Sequence, residues 1–363
     1  MTDRLQASVC VVVLLLIVGW VLYIGRAVFV PIVFGAIAVY VVVDFTRLLQ
    51  RIPVIGPRLP VQLRYGLSIF LIGAAIFFAV DMLVSNYDAL VALAPRYQDS
   101  VLLMIHKIST LLHLESEPTW ESLRRNMLAQ LNIQAMVTGT LTSLSSVIID
   151  IFVIVLYASF LLVERGTFGE KLANMTANST NAARIRGVVT DINRRIGAYL
   201  ALKTFLGVLL GAICWLAMRS VGLEFAGLWA ILTALLNYVP YIGSVLAIVF
   251  PVLMSVLQFG DMNSILVVLV SLTAIHFVIG NILDPYLTGN SLNLSPFAIL
   301  ASMAVWSALW GVPGAFLAVP ITASMTIIFS EFEMTRPVAV LLSKNGRLAY
   351  GKNGKNGKTE QTA

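Results

Sequence analysis

Charge is what this sequence lacks most. Of 363 residues, 24 are Lys or Arg and 18 are Asp or Glu, 12% in all. A soluble domain carries about a quarter. So few charges cannot cover a water-facing surface for a chain this long, which excludes a water-soluble globular fold. Histidine (3) and cysteine (2) are also scarce. Cys10 and Cys214 both fall in apolar runs, so neither a disulfide framework nor a metal site is expected, and both read as small buried hydrophobes. The chain has no H-E-x-x-H, no G-x-S-x-G and no G-x-x-x-x-G-K-[ST]. Those absences argue against an enzyme and against ATP as the direct energy source; no cofactor and no metal are expected. A basic groove with interleaved aromatics is missing too, so nucleic acid is not an expected partner. No small-residue cleavage site follows the first apolar run, which reads as a retained helix.

Apolar sequence fills the space that charge leaves. Hydrophobic residues make up 59% of the chain, and the mean hydropathy is +0.90. They come in runs of about 20, the length of a helix that crosses a bilayer core. The expected fold class is all-α: a polytopic transmembrane helical bundle with two re-entrant or broken helical hairpins and a small extramembrane helical lobe. Three spans are expected over 8–24, 27–45 and 65–84, forming a first region, 1–84; Pro31 lies near the start of the second span, where it is tolerated. Region 85–136 differs. It mixes acids with bases, and Leu90, Leu93, Tyr97, Val101, Met104, Ile108 and Leu111 recur at helical spacing. It reads as a helical lobe outside the hydrocarbon. The transport core, 137–335, begins with spans over 136–163 and 196–218, and 336–363 thins into a basic, disordered tail.

Arg47, Arg51, Arg58 and Arg64 mark one basic loop, 46–64; Arg165, Lys171, Arg184, Arg186, Arg194 and Arg195 mark another, 164–195. These loops and the tail lie on one side if the amino terminus does. The positive-inside rule makes that side the cytoplasm, with 85–136 facing outward.

From 223 to 330 the chain is almost continuously apolar and broken by prolines. V-P-Y-I-G-S-V-L-A-I-V-F-P (239–251) and V-P-G-A-F-L-A-V-P (312–320) share a Val-Pro, an early glycine, a Leu-Ala and a closing proline. Broken segments at corresponding places point to a transporter site, because lipid tolerates freed backbone groups only where protein or a cavity satisfies them. Hairpins are expected over 223–259 and 296–329, with tips near Pro240 and Pro313 and one span, 262–280, between them; full crossing by every segment is the alternative. Asn281, Asp284 and Pro285 are expected to end that span, with Gly289 and Pro296 following. An acid at membrane depth is by default functional, although Asp284 also reads as a helix cap. Asn237, Tyr238, Tyr241 and Asn281 are candidate polar linings. Lys203 reads as snorkelling to the interface. Asp150 either pairs with Lys203 or faces water, and His276 reads as a satisfied bundle histidine.

N-Y-V-P-Y-I-G (237–243), N-I-L-D-P (281–285) with Gly289, L-N-L-S-P (292–296) and W-G-V-P-G-A-F-L-A-V-P (310–320), with Pro31 and Lys203, occur in an order that resembles the autoinducer-2 exporter family, the PerM-like permeases. The resemblance covers nearly the whole chain. It implies a permease of the cell inner membrane that exports a small signalling molecule for quorum sensing, typically autoinducer-2, and acts as a homo-oligomer, with a pentamer the expected form and the hairpins as a mobile unit. Some members resemble sodium(lithium)/proton antiporters, which is the alternative function. The resemblance places the substrate or ion pathway at Asn237, Tyr238, Pro240, Tyr241, Gly243, Asn281, Asp284, Pro285, Gly289, Pro296, Trp310, Gly311, Pro313, Gly314 and Pro320. The chain departs from the family at Ser244, where many members have proline.

Overall fold

The computed structural model describes residues 2–50, 59–82, 85, 133–176, 178–288, 292–346 and 348. Among these residues the only regular secondary structure is helical. That follows from the composition: in lipid a helix pairs every interior backbone group within its own segment. Among the described residues, seven helices are long and apolar enough to cross a membrane: Arg26–Gln50, Val61–Met82, Ile149–Asn174, Thr180–Val221, Ile242–Phe259, Met262–Leu287 and Val312–Glu331. The fold is therefore a polytopic helical bundle. The chain forms two compact units, one of residues 1–65, 150–202 and 288–363, the other of residues 66–149 and 203–287.

In the first unit, α1 (Thr2–Ile24) and α2 (Arg26–Gln50) are separated by Gly25 alone. The apolar part of α1, Val9–Ile24, is shorter than a full span. Its apolar side chains are exposed, and Cys10 with them; burial holds only for Cys214. The other walls are α10 (Pro296–Trp310) and α11 (Val312–Glu331), which pack as an antiparallel pair against α1 and α2. Ser295 caps α10 by accepting from the Ala298 N–H at 3.1 Å, and Pro296 takes the first turn, where its missing donor costs nothing. A short α12 (Arg336–Leu342) folds back, so that the Ser295 N–H reaches the Leu342 carbonyl at 2.9 Å.

Two long helices run from one unit into the other. The helices α4 (Ile133–Asn174) and α5 (Ser179–Val221) have 42 and 43 residues, each about 60 Å at 1.5 Å per residue. Both outrun a hydrocarbon core of about 30 Å. The expected basic loop 164–195 is therefore mostly helix, interrupted only around 175–178. Ion pairs along the chain support it there: Arg194 to Asp191 at 2.7 Å and Lys171 to Glu164 at 3.1 Å. Hydropathy marked where the apolar stretch ends, not where the helix ends.

In the second unit, α3 (Val61–Met82) supplies its later residues. The rest is α6 (Ala226–Leu236), α7 (Ile242–Phe259) and α8 (Met262–Phe277). Gln258 closes the base of the α6–α7 pair, accepting from the Glu224 N–H at 2.7 Å and donating to the Gly222 carbonyl at 2.9 Å. Asp261 caps α8 through the Ser264 N–H at 2.8 Å, which holds its carboxyl below the usual carboxylate range. A second correction lies beyond α8. The chain does not stop at 281–285 but continues as a π-helical stretch, Val278–Leu283, into α9 (Asp284–Thr288). The wider turn lets the Asp284 N–H reach back to the Ile279 carbonyl, just before Pro285, which has no donor. The expected disordered tail 336–363 is corrected at its start, where Arg336–Leu342 form α12 with Ala339 and Ser343 buried against the rest of the unit; its end, 349–363, lies outside the described residues, as do Gly289 and 86–132 of the expected lobe.

Candidate functional site

The second unit holds the polar cluster. Along α5, Lys203, Gly207 and Gly211 repeat every four residues and so share one face. A Cβ on Gly207 would lie 2.9 Å from the Ala234 carbonyl oxygen, and one on Gly211 equally close to that of Ala230. The glycines therefore let α6 lie backbone-close along α5, the packing small residues permit between membrane helices. That contact carries the end of α6 to Lys203. The Asn237 amide approaches the Lys203 carbonyl at 3.5 Å, and the hydroxyls of Tyr238 and Thr204 share a hydrogen bond of 2.6 Å.

The Lys203 ammonium donates to Asp284 Oδ2 at 2.6 Å. The two side chains are 11% and 21% exposed, so this is a largely desolvated pair, in which losing one partner strands the other's charge. The pairing corrects one reading, since Lys203 is buried instead of reaching for an interface, and chooses between the two open for Asp150, since the carboxylate that meets Lys203 is Asp284. Asp150 is exposed on α4.

Between α6 and α7 the chain turns at 237–241. Ile242 N–H reaches the Pro240 carbonyl at 2.7 Å, a three-residue γ-turn centred on Tyr241 at φ 61°, ψ −63°. This form of the turn is rare and strained for any side-chain-bearing residue. Gly243 completes it: a Cβ there would overlap the Leu236 carbonyl. Tyr241 itself is exposed.

The other hairpin, in the first unit, repeats the device with different parts. Gly311 makes the turn at φ 66°, ψ −144°, a conformation open to glycine alone. Gly314 lies where a Cβ would overlap the Trp306 carbonyl, and Pro313 opens α11. The Trp310 indole donates to the Leu22 carbonyl at 2.9 Å, one of the orphan acceptors at the end of α1. Trp306 donates to the Thr322 hydroxyl at 3.3 Å and packs on Trp310 with 5.0 Å between rings. Pro320 is buried within α11.

Asn281 and Pro285 lie on the exposed side of the π–α9 segment, apart from the Lys203 pair, and Pro296 is exposed at the start of α10. His276 is buried with Nδ1 against the Leu272 carbonyl at 2.9 Å, while Nε2 has no partner among the described residues, so it is only half satisfied. Three features escaped the sequence reading: Thr204, the Gly207/Gly211 pair and Asp44. The four-residue spacing from Lys203 to Gly211 was a visible signal for the second. Asp44 lies in an apolar helix with Oδ1 on Arg47 at 3.0 Å and Oδ2 buried without a partner among the described residues. One turn earlier, Tyr40 donates to Asn193 at 2.6 Å.

A polytopic bundle with two proline-marked helical hairpins and a buried ion pair beside one tip is the architecture of a membrane transport protein, not of a soluble binding module. The match to the AI-2E family transporter model covers residues 11–334, and the chain belongs to that family. It is 28% identical to the AI-2 transport protein TqsA of Escherichia coli K12 over 308 residues, 85% of this chain and 88% of that protein. It is 27% identical to a protein of Borreliella burgdorferi over 338 residues, 92% of this chain and 89% of that one. With YhhT of Escherichia coli K12 the identity is 29% over 293 residues, 79% and 80% of the two chains. The names of the last two assign them to transport without a substrate.

Proposed function

We propose that this protein exports a small polar organic solute, of the autoinducer-2 kind, across the cell inner membrane, with both termini cytoplasmic. The observation that carries the reading is the buried Lys203–Asp284 pair held beside the Asn237–Tyr241 turn. Charges of this depth are expensive and mark solute pathways, and a broken hairpin offers half-helix ends to a polar solute. At 11 residues, α6 is about 16 Å long, half a hydrocarbon core. That length is too short for α6 to cross by itself, whereas its partner α7 is long enough to cross. The name of TqsA supports autoinducer-2 as the first solute to try. Assembly as a homo-oligomer, with a pentamer the form to test, belongs to the same reading. Sodium(lithium)/proton antiport gains nothing from the geometry: of the two acids it would use, Asp284 is held by an ammonium and Asp150 is exposed on α4.

The test is transport by the purified chain in sealed vesicles. Labelled autoinducer-2 is followed on one side, with sodium and a pH-sensitive dye on the other. Solute movement without a sodium-dependent pH change is expected, and Asn237→Ala and Asp284→Ala should abolish it while the protein still inserts. A sodium-driven proton flux with no solute movement would sink the reading. Normal efflux from both variants would remove the site.

A further inference from the structure

The charge balance of the second unit narrows the class of solute. Lys203 lies in the interior of α5 and Asp284 follows the π-helical stretch, and the two meet at 2.6 Å. The other charged residues described in this unit sit at helix ends. Asp81 is next to last in α3, Arg219 is in the last turn of α5, Glu224 is in the link before α6, and Asp261 caps α8. The one other titratable group of basic type in the interior, among the described residues, is the His276 imidazole, held at Nδ1 by a backbone carbonyl. Among the described residues the interior therefore carries one positive and one negative side chain in contact, which sum to zero.

We infer that Lys203 and Asp284 set specificity by cancelling each other, so that the pathway accepts electrically neutral, hydrogen-bonding solutes and rejects small ions. The physical reason is the cost of unbalanced charge in a low-dielectric interior. A lone ammonium or carboxylate that keeps its charge there recruits a counter-ion, because an uncompensated buried charge is far less stable than a compensated one. A contact pair recruits none. It still offers a neutral solute a donor end and an acceptor end, alongside the amide of Asn237 and the hydroxyls of Thr204 and Tyr238. This inference rests on the transporter reading of the same site, but it does not require autoinducer-2 to be the cargo.

It follows that breaking the balance in either direction should turn the protein into a leak of defined sign. The experiment uses the full chain in vesicles, with labelled sodium and labelled chloride as probes. Five forms are compared: wild type, Lys203→Met, Asp284→Asn, the two combined, and the charge-reversed Lys203→Asp with Asp284→Lys. Lys203→Met, with a bare carboxylate, should raise sodium entry at least about tenfold over wild type, and Asp284→Asn should do the same for chloride. Wild type and both double variants should pass neither. Sodium and chloride entry within about twofold of wild type in both reconstituted single variants would overturn the inference. So would ion entry through wild type or the charge-reversed form. If the single variants fail to insert, the charge-reversed form decides: tight vesicles support the inference, leaky ones end it. Failure of wild type to move autoinducer-2 while this sign pattern holds would cost the proposed cargo and leave the selectivity intact.

Discussion

The two hairpins solve the same problem with opposite tolerance for strain. Each must reverse a chain of apolar helix within a few residues, and each places a glycine against a backbone carbonyl, Gly243 on Leu236 and Gly314 on Trp306. The α10–α11 turn then relaxes fully. Its positive-φ residue is Gly311, and its tip is anchored by Trp310 on the Leu22 carbonyl. The α6–α7 turn does not. Its positive-φ residue is Tyr241, exposed and with no glycine's freedom, beside a turn tied to α5 by Thr204 and Tyr238. The first design fixes a tip in place. The second stores strain beside a buried ion pair, the arrangement expected where a segment has two accessible positions.

The largest effect should come from removing one member of the ion pair. Lys203→Ala leaves Asp284 buried without its ammonium and is expected to destabilise the protein by about 3–5 kcal/mol. Thermal unfolding in detergent reads this directly. A loss below about 1 kcal/mol would mean that the pair is effectively solvated. Next come the two turn glycines. Gly314→Ala and Gly243→Ala each force a Cβ into a carbonyl and are expected to cost about 2–4 kcal/mol. If strain is tolerated differently at the two tips, the α10–α11 substitution should lower stability more. The α6–α7 substitution should lower transport more. Equal effects on both readouts would erase the contrast between the hairpins.

Much of this was legible in the sequence, and the rest was not for identifiable reasons. Runs of about 20 apolar residues announce spans because bilayer thickness fixes helix length. The paired Val-Pro and glycine signatures announced both tips, since glycine and proline act through backbone geometry that local sequence encodes. The ends of α4 and α5 were not legible. A helix continues past its apolar stretch without a change of backbone, so the arginines of 164–195 marked where that stretch ends and not a loop. The partner of Lys203 was also hidden. Which carboxylate meets it is decided across a sequence separation of 81 and by a π-helical stretch that no local pattern announces. Gly207 and Gly211 were in plain view, four and eight residues beyond Lys203, and would have named the α5 face that receives α6.

A middle-sized effect tests the anchored tip. Trp310→Phe keeps an aromatic ring against Trp306 but removes the indole donor to the Leu22 carbonyl. The loss should be about 1 kcal/mol, the usual net value of one hydrogen bond. Transport should hold, because this tip is an anchor. A collapse of transport with stability unchanged would instead make Trp310 part of the moving machinery.

The smallest effect is the most informative about the strained tip. Tyr241→Gly removes the side chain that makes φ 61° costly, and so relieves strain of about 1–3 kcal/mol. Glycine also enlarges the unfolded ensemble, which takes back about 0.5–1 kcal/mol. The net change in stability should lie between about zero and a gain of about 2.5 kcal/mol. Stability therefore says little by itself, and the transport rate decides. If strain at Tyr241 poises the α6–α7 hairpin between two positions, relieving it favours the observed one, and transport should slow while the melting temperature holds or rises. Tyr241→Phe separates this from chemistry at the hydroxyl: it keeps the Cβ and the strain, so it should transport like wild type. A slow Tyr241→Phe would make the hydroxyl, not the backbone, the reason a tyrosine occupies the turn. A fast Tyr241→Gly would show that the strain has no part in transport, leaving the two hairpins different in structure but equivalent in mechanism.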